Sequence, residues 1–291
     1  MLKLNSKNLT RISSEHLAAK QKLIDDLSVF EEKARKAKSL WDGKSSVAFD
    51  EIKSLLKKMC VSVEICVYCE NNEATDIEHI YPKKLYPKKT FIWKNYILVC
   101  GKCNSHHKKD KFKIFKPKNS VNVEDVTLPP KTYRKPANDD ALFLNQRKND
   151  PMEFLELDLL NRTFIFIEKF PAGTREYERA KYTIELLGLN KRGALKKARE
   201  SAALFFISRL EKYVNAKNSN NFQGLKDAVD DFGSVDETSN FNQEKTRILK
   251  SIKKTILENQ HPTVWKEMLR QRGILLKTNR LLDDAPEVLT W

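Results

Sequence analysis

The chain has 291 residues, 40% of them hydrophobic and 32% charged, so it can bury a sizeable core and is too apolar to be a disordered segment. Fifty-four Lys and Arg against 39 Asp and Glu leave a net charge of +15, which suits a polyanionic partner such as DNA or RNA but, taken alone, suits a solvated basic surface equally well. No apolar run approaches the roughly 20 residues of a membrane span, Met1-Leu2-Lys3-Leu4-Asn5 lacks the apolar core of a signal peptide, and five cysteines make a poor disulfide scaffold, so a cytoplasmic protein with no membrane contact is expected.

The first segment, residues 1–59, is expected to be helical. Leu17, Leu23, Leu27 and Phe30, then Phe49, Ile52, Leu55 and Leu56, recur at helical spacing, and Gly43 beside Asp42 marks the turn between amphipathic helices. Residues 60–116 follow, with all five cysteines and three of the five histidines. Residues 117–140 contain Pro117, Pro129-Pro130 and Pro136 and read as an extended connector. The last segment, 141–291, begins with a short hairpin expected at Phe154-Leu155-Glu156-Leu157-Asp158 and Thr163-Phe164-Ile165-Phe166-Ile167 about Asn161-Arg162. Helical periodicity then covers roughly Arg175 to Leu187, Ala194 to Val214, Gln243 to Leu257 and Thr263 to Leu269, with a polar surface loop around one short helix between Asn215 and Asn242.

The middle segment carries the chemistry. Cys66-Val67-Tyr68-Cys69 and Cys100-Gly101-Lys102-Cys103 are two C-x-x-C pairs, each suited to a knuckle that aims two thiolates at one ion. Together they offer the four soft ligands of a closed, structural Zn²⁺ site. A redox dithiol needs only one such pair, in a βαβ context that is absent here. Cys60 is expected as an ordinary buried cysteine at a helix end. Four thiolates leave no open position for a substrate, so catalysis must come from other residues.

Such residues lie close by. Asp76-Ile77-Glu78-His79-Ile80-Tyr81-Pro82-Lys83-Lys84 stands between the pairs, and Asn104, His106 and His107 follow Cys103. The order C-x-x-C, Glu-His-Ile-x-Pro-Lys, Trp93-Lys94-Asn95-Tyr96 and C-x-x-C-Asn closely resembles the ββα-metal core of HNH endonucleases. That resemblance implies His79 as general base, Glu78 and Asn104 as ligands of a catalytic Mg²⁺ or Mn²⁺ ion, and Asn95 as the residue that steadies the loop. It departs from the commonest pattern in having Glu rather than Asp before the histidine and Asn rather than His at the last position. The residue types suit the reaction. A phosphodiester resists attack by an anion, so oxygen-held divalent metal and a near-neutral imidazole are the groups its hydrolysis asks for. Asn104 and His107, three apart, are expected on one helical face, where His107 would add a ligand, contact the scissile phosphate or assist the leaving group. Lys83, Lys84, Lys108 and Lys109 are expected at phosphates.

Beyond the motif, Asp139-Asp140-Ala141-Leu142-Phe143-Leu144-Asn145, Asp150-Pro151, and Arg179 through Asn190 are similar to the second half of the PtuB-like HNH proteins encoded beside ATPases in Septu-type and retron-associated antiphage systems. The similarity runs from roughly Cys60 to Arg199. It implies a PtuA-like ATPase as partner, in some systems with a retron reverse transcriptase and its nucleic acid, and defence by cutting nucleic acid. The expected fold is thus α+β: a zinc-stapled ββα core between a helical N-terminal segment and a mostly helical C-terminal region that docks a partner. The expected activity is metal-dependent cleavage of DNA. The alternatives are a zinc-knuckle module that binds nucleic acid or protein without cutting, and a nuclease directed at RNA such as tRNA.

Overall fold

The computed structural model describes residues 1–44, 46–116, 120–229 and 233–291. Pro117, at the start of the expected connector, lies outside them. Secondary structure is helical with small two-stranded sheets, an α+β arrangement, and the chain divides into two units.

Unit 1 comprises Met1–Glu156 and Ile165–Arg192. It opens with α1 (Arg11–Asp25), α2 (Phe30–Asp42) and α3 (Ser46–Lys57). Thr10 begins α1 by accepting a bond from Ser13 N at 3.3 Å, so one of the unpaired amides of the first turn is satisfied. Each helix buries one stripe: Leu17 and Ile24 from α1, Ala34, Ala37 and Trp41 from α2, and Phe49, Ile52 and Leu56 from α3. Gly43 ends α2 as expected. Against these helices lies an antiparallel hairpin, β1 (Asp76–His79) paired with β2 (Tyr96–Val99), in the register Asp76↔Val99 to His79↔Tyr96.

After β2 the chain winds into a π-helix, Lys102–Lys108, whose wider turn is seen in the bond from Lys109 N to Asn104 O at 2.8 Å. Next, β3 (Lys113–Phe115) pairs with β4 (Val123–Asp125), so the expected connector contributes a strand. The connector is also tied down further along, where Asn138 Nδ2 donates to Phe115 O at 2.9 Å and Tyr86 Oη donates to Asn138 O at 2.9 Å. β5 (Leu155–Leu157) and β6 (Phe166–Glu168) form the third small sheet where a hairpin was expected. α4 (Arg175–Leu186), capped by Thr174, closes the unit.

Unit 2 comprises Leu157–Phe164 and Gly193–Trp291. It contains α5 (Gly193–Asn218), α6 (Phe222–Ala228), α7 (Phe241–Leu257), α8 (Pro262–Arg270) and α9 (Leu276–Asp284). α6 is the short helix expected within the polar loop. Phe206 and Leu210 of α5 pack with Ile248, Ile252 and Ile256 of α7 and Trp265 and Met268 of α8 in an apolar core. His261 is buried at the N-cap of α8, where its φ of +59° places it in the left-handed region. No helix among the described residues is long and apolar enough to cross a membrane.

Candidate metal centre and histidine site

The hairpin brings the two cysteine pairs together. Cys66 and Cys69 lie in the turns before β1, and Cys100 follows β2 directly, so pairing Asp76 with Val99 carries both knuckles to the same end. All four sulfurs are buried and lie within 4.8 Å of one another, with Cys69 Sγ 3.9 Å from Cys100 Sγ. A tetrahedral Zn²⁺ with Zn–S bonds of about 2.3 Å separates its sulfurs by roughly 3.8 Å, so spacing, softness and burial all fit zinc. Burial pushes the Cys66 thiol well up, while hydrogen bonds from Cys100 and Cys103 pull Cys69 far down. Arg192 Nη1 donates to Cys103 Sγ at 3.4 Å and places a guanidinium against the thiolate cluster. That contact spans 89 positions, and nothing local in the sequence announces it. Cys60 is half-buried just past α3, with its thiol pushed up to about 11 by burial.

Alternation along β1 gives the strand two faces. Asp76 and Glu78 share one, opposite the Lys102–Lys108 helix. Asn104 Nδ2 donates to Asp76 Oδ2 at 3.0 Å, and the Lys108 ammonium forms an ion pair with Glu78. Lys108 also donates to His79 O at 2.9 Å and is fully buried, so in this structure it holds a carboxylate rather than a phosphate. Burial pushes the Glu78 carboxyl above its usual range, and Lys108 opposes the shift. Asp76, absent from the expected site, is the carboxylate that accepts from the Asn104 amide. Its position two residues before Glu78 in a strand is the sequence signal that would have found it.

The same helix corrects another expectation. In a π-helix, residues four apart are the ones that meet β1, here Asn104 and Lys108. His107 lies elsewhere, its ring against Gly188 and its imidazole held below the ordinary value by burial and by Arg192. Gly188 has φ +59°, and a Cβ built on it would stand 2.8 Å from His107 Cε1, so both backbone and space require glycine there. His106 is exposed, as are Lys109 and Lys102.

His79 belongs to the other face of β1. Its ring packs edge-on to Trp41 at 4.2 Å and to Tyr96 at 5.2 Å between centroids, and it is buried. Burial, with Lys83 nearby, holds the imidazole well below its ordinary value, so it is neutral. Nε2 lies 2.9 Å from the Thr90 carbonyl, which can only accept, so Nε2 carries the proton and Nδ1 the lone pair. The loop from β1 to β2 is clamped by Asn95. Its Oδ1 accepts from Tyr81 N at 2.8 Å, and its Nδ2 donates to Tyr81 O at 3.0 Å and Lys89 O at 2.8 Å. Glu78, Asn104 and Asp76 thus come together on one face, Asn95 braces the loop, and His79 sits on the opposite face beneath α2.

No protein-family model matches the chain, and no solved structure does. Among proteins of known name, Septu protein PtuB of Bacillus mycoides (strain KBAB4) is 31% identical over 124 residues, 37% of this chain and 38% of that protein. Septu protein PtuB of Bacillus thuringiensis is 30% identical over 94 residues, 28% of this chain and 37% of that protein. The chain therefore spans well under half the length of the relatives it matches, and over that stretch it is PtuB-like.

Proposed function

We propose that this chain is a metal-dependent endonuclease of the HNH type that hydrolyses DNA phosphodiester bonds as the effector of an antiphage system. The observation that carries the reading is a hairpin stapled by four cysteines to the helix behind it, with Glu78 and His79 ending its first strand, Asn95 bracing its loop and Asn104 on the helix. PtuB proteins of Septu systems share part of this sequence, which supports a defence role and a PtuA-like ATPase as partner.

Asp76, Glu78 and the amide of Asn104 form a hard oxygen-bearing set on one face, the donor chemistry that Mg²⁺ or Mn²⁺ takes. When bound there, such an ion supplies positive charge to the scissile phosphate and leaving oxygen. The remaining work falls to the protein. His79 holds a lone pair on Nδ1 and would accept the proton of the attacking water. The Thr90 carbonyl fixes its tautomer, and Asn95 keeps the loop that carries that carbonyl in place. Lys108 pairs with Glu78 and would have to release that carboxylate for it to hold a cation. Trp41 of α2 packs edge-on against that ring, and its withdrawal on a signal from the partner ATPase would widen the access of water to Nδ1.

The same burial favours a second reading, a zinc-knuckle module that binds without cutting, because Glu78 and His79 both have intramolecular partners here. Plasmid cleavage with Mg²⁺ or Mn²⁺ separates the two, comparing wild type, His79→Gln and Asn104→Ala, with and without the ATPase. The nuclease reading expects metal-dependent cutting that drops at least about a hundredfold in His79→Gln. If neither DNA nor RNA is cut under any condition, the binding module stands.

A further inference from the structure

α2 and residues 130–133 of unit 1 enclose a cleft that no motif explains. Its volume is about 330 Å³, and Lys38, Lys83, Lys84 and Lys131 line it together with Tyr133 and one acid, Asp110. Four ammonium groups around one carboxylate repel one another unless an anion lies among them. Lys38 has an exposed partner, Asp42, at 2.6 Å. Among the described residues Lys83, Lys84 and Lys131 are in no ion pair, so the cleft holds cations without matching anions.

The cleft is braced. Lys84 Nζ donates to Leu128 O at 3.3 Å and also to Pro129 O, which ties the 128–131 backbone to the end of the Pro82-Lys83-Lys84 turn. The Tyr133 ring lies 4.8 Å from the Arg35 guanidinium and 5.9 Å from the Lys84 ammonium, so an aromatic face gathers cations from α2 and from that turn. The cleft also adjoins the histidine site. Lys83 Nζ lies 6.0 Å from the ring of Trp41, the residue that covers His79.

We infer that this cleft binds the sugar–phosphate backbone of a single-stranded nucleic acid and leads it past Trp41 toward His79. A cavity of this size admits one backbone and not a duplex, and lysines tracking phosphates beside an aromatic ring are how sequence-tolerant single-strand grooves are built. The identity of the ligand rests on the nuclease reading, whereas its binding can be measured without any cutting.

The test is fluorescence anisotropy of a labelled oligothymidylate, and of an oligouridylate of equal length, titrated with the full chain across a salt series. Zinc is retained and no Mg²⁺ or Mn²⁺ is added. Each lysine–phosphate contact on a single strand contributes about 0.7 to the slope of log affinity against log salt. Lys38→Gln/Lys131→Gln should therefore lower that slope by about 1.4 and weaken binding about tenfold at moderate salt. Both lysines are exposed, so circular dichroism should match wild type. Lys58→Gln/Lys94→Gln removes the same charge from exposed positions outside the cleft and should leave the slope unchanged. Equal losses in the two double variants, an unchanged slope in the cleft variant, or tighter binding of a duplex would overturn the inference. Strand binding through the cleft, together with no cutting of DNA or RNA when Mg²⁺ or Mn²⁺ and the ATPase are supplied, removes the nuclease reading alone. Normal plasmid cutting with wild-type strand affinity in the cleft variant removes this inference alone.

Discussion

The β1–β2 hairpin has a cysteine end and a histidine end, and they differ in how far the protein satisfies its own polar groups. At the cysteine end, four buried thiols have mainly one another and Arg192 for company, an arrangement whose negative charge calls for a cation. At the histidine end the protein supplies most of the partners: His79 Nε2 has the Thr90 carbonyl, Glu78 has Lys108, and Asn95 has three backbone bonds. The first is a site complete in its ligands. The second is closed, and its chemistry depends on exchanging protein partners for a cation, a water and a phosphate.

The largest effect should come from breaking the cysteine end. Structural zinc contributes apparent free energies of about 10–16 kcal/mol in small zinc-dependent peptides, against a whole-domain stability of about 5–15 kcal/mol. Cys66→Ser, or a strong chelator, should therefore release zinc and unfold unit 1, read as zinc stoichiometry by atomic absorption together with loss of the thermal transition. A wild-type chain that carries no zinc and melts identically with chelator would remove the metal centre.

A smaller effect tests the histidine end. Lys108→Met strands the buried Glu78 carboxylate and should cost about 3–5 kcal/mol, whereas Lys108→Met/Glu78→Leu removes both charges and should recover most of that loss. Urea denaturation of the two variants gives the difference directly. If the double variant falls as far as the single one, Glu78 and Lys108 are not coupled and the histidine end is less closed than its geometry says.

The cysteine end was legible because its information is local. Two residues between cysteines suffice to specify a knuckle, whereas Glu78, His79 and Asn95 stood out through the resemblance to HNH endonucleases. The α+β class, the helical first segment and the hairpin near Asn161-Arg162 followed from periodicity and turn residues. What escaped was tertiary. Trp41 sits on an ordinary amphipathic stripe, and nothing near it in sequence says that it covers His79. No composition rule separates a π-helix from an α-helix over seven residues, yet that difference turned Lys108 toward Glu78 and His107 toward Gly188. β4, with Glu124 and Asp125, has poor strand propensity and exists because β3 offers it an edge.

The finest test of the closed histidine end is its pH dependence. His79 is buried neutral, with its pKa well below the ordinary value, whereas in the unfolded chain it takes up a proton near pH 6.5. Below that pH the unfolded state binds one more proton than the folded state, so stability is lost as pH falls and is fully present above about pH 7. One such proton corresponds to a slope of at most about 1.4 kcal/mol per pH unit. The comparison is between wild type and His79→Gln, measured by urea denaturation between about pH 5 and 7, where this difference in proton uptake operates. The glutamine variant cancels contributions from other groups, so the difference between the two curves should steepen toward acid and flatten above neutrality. Parallel curves would mean that His79 meets solvent freely. In that case the cover formed by Trp41 opens readily, and the nuclease reading no longer needs α2 to be displaced by a partner.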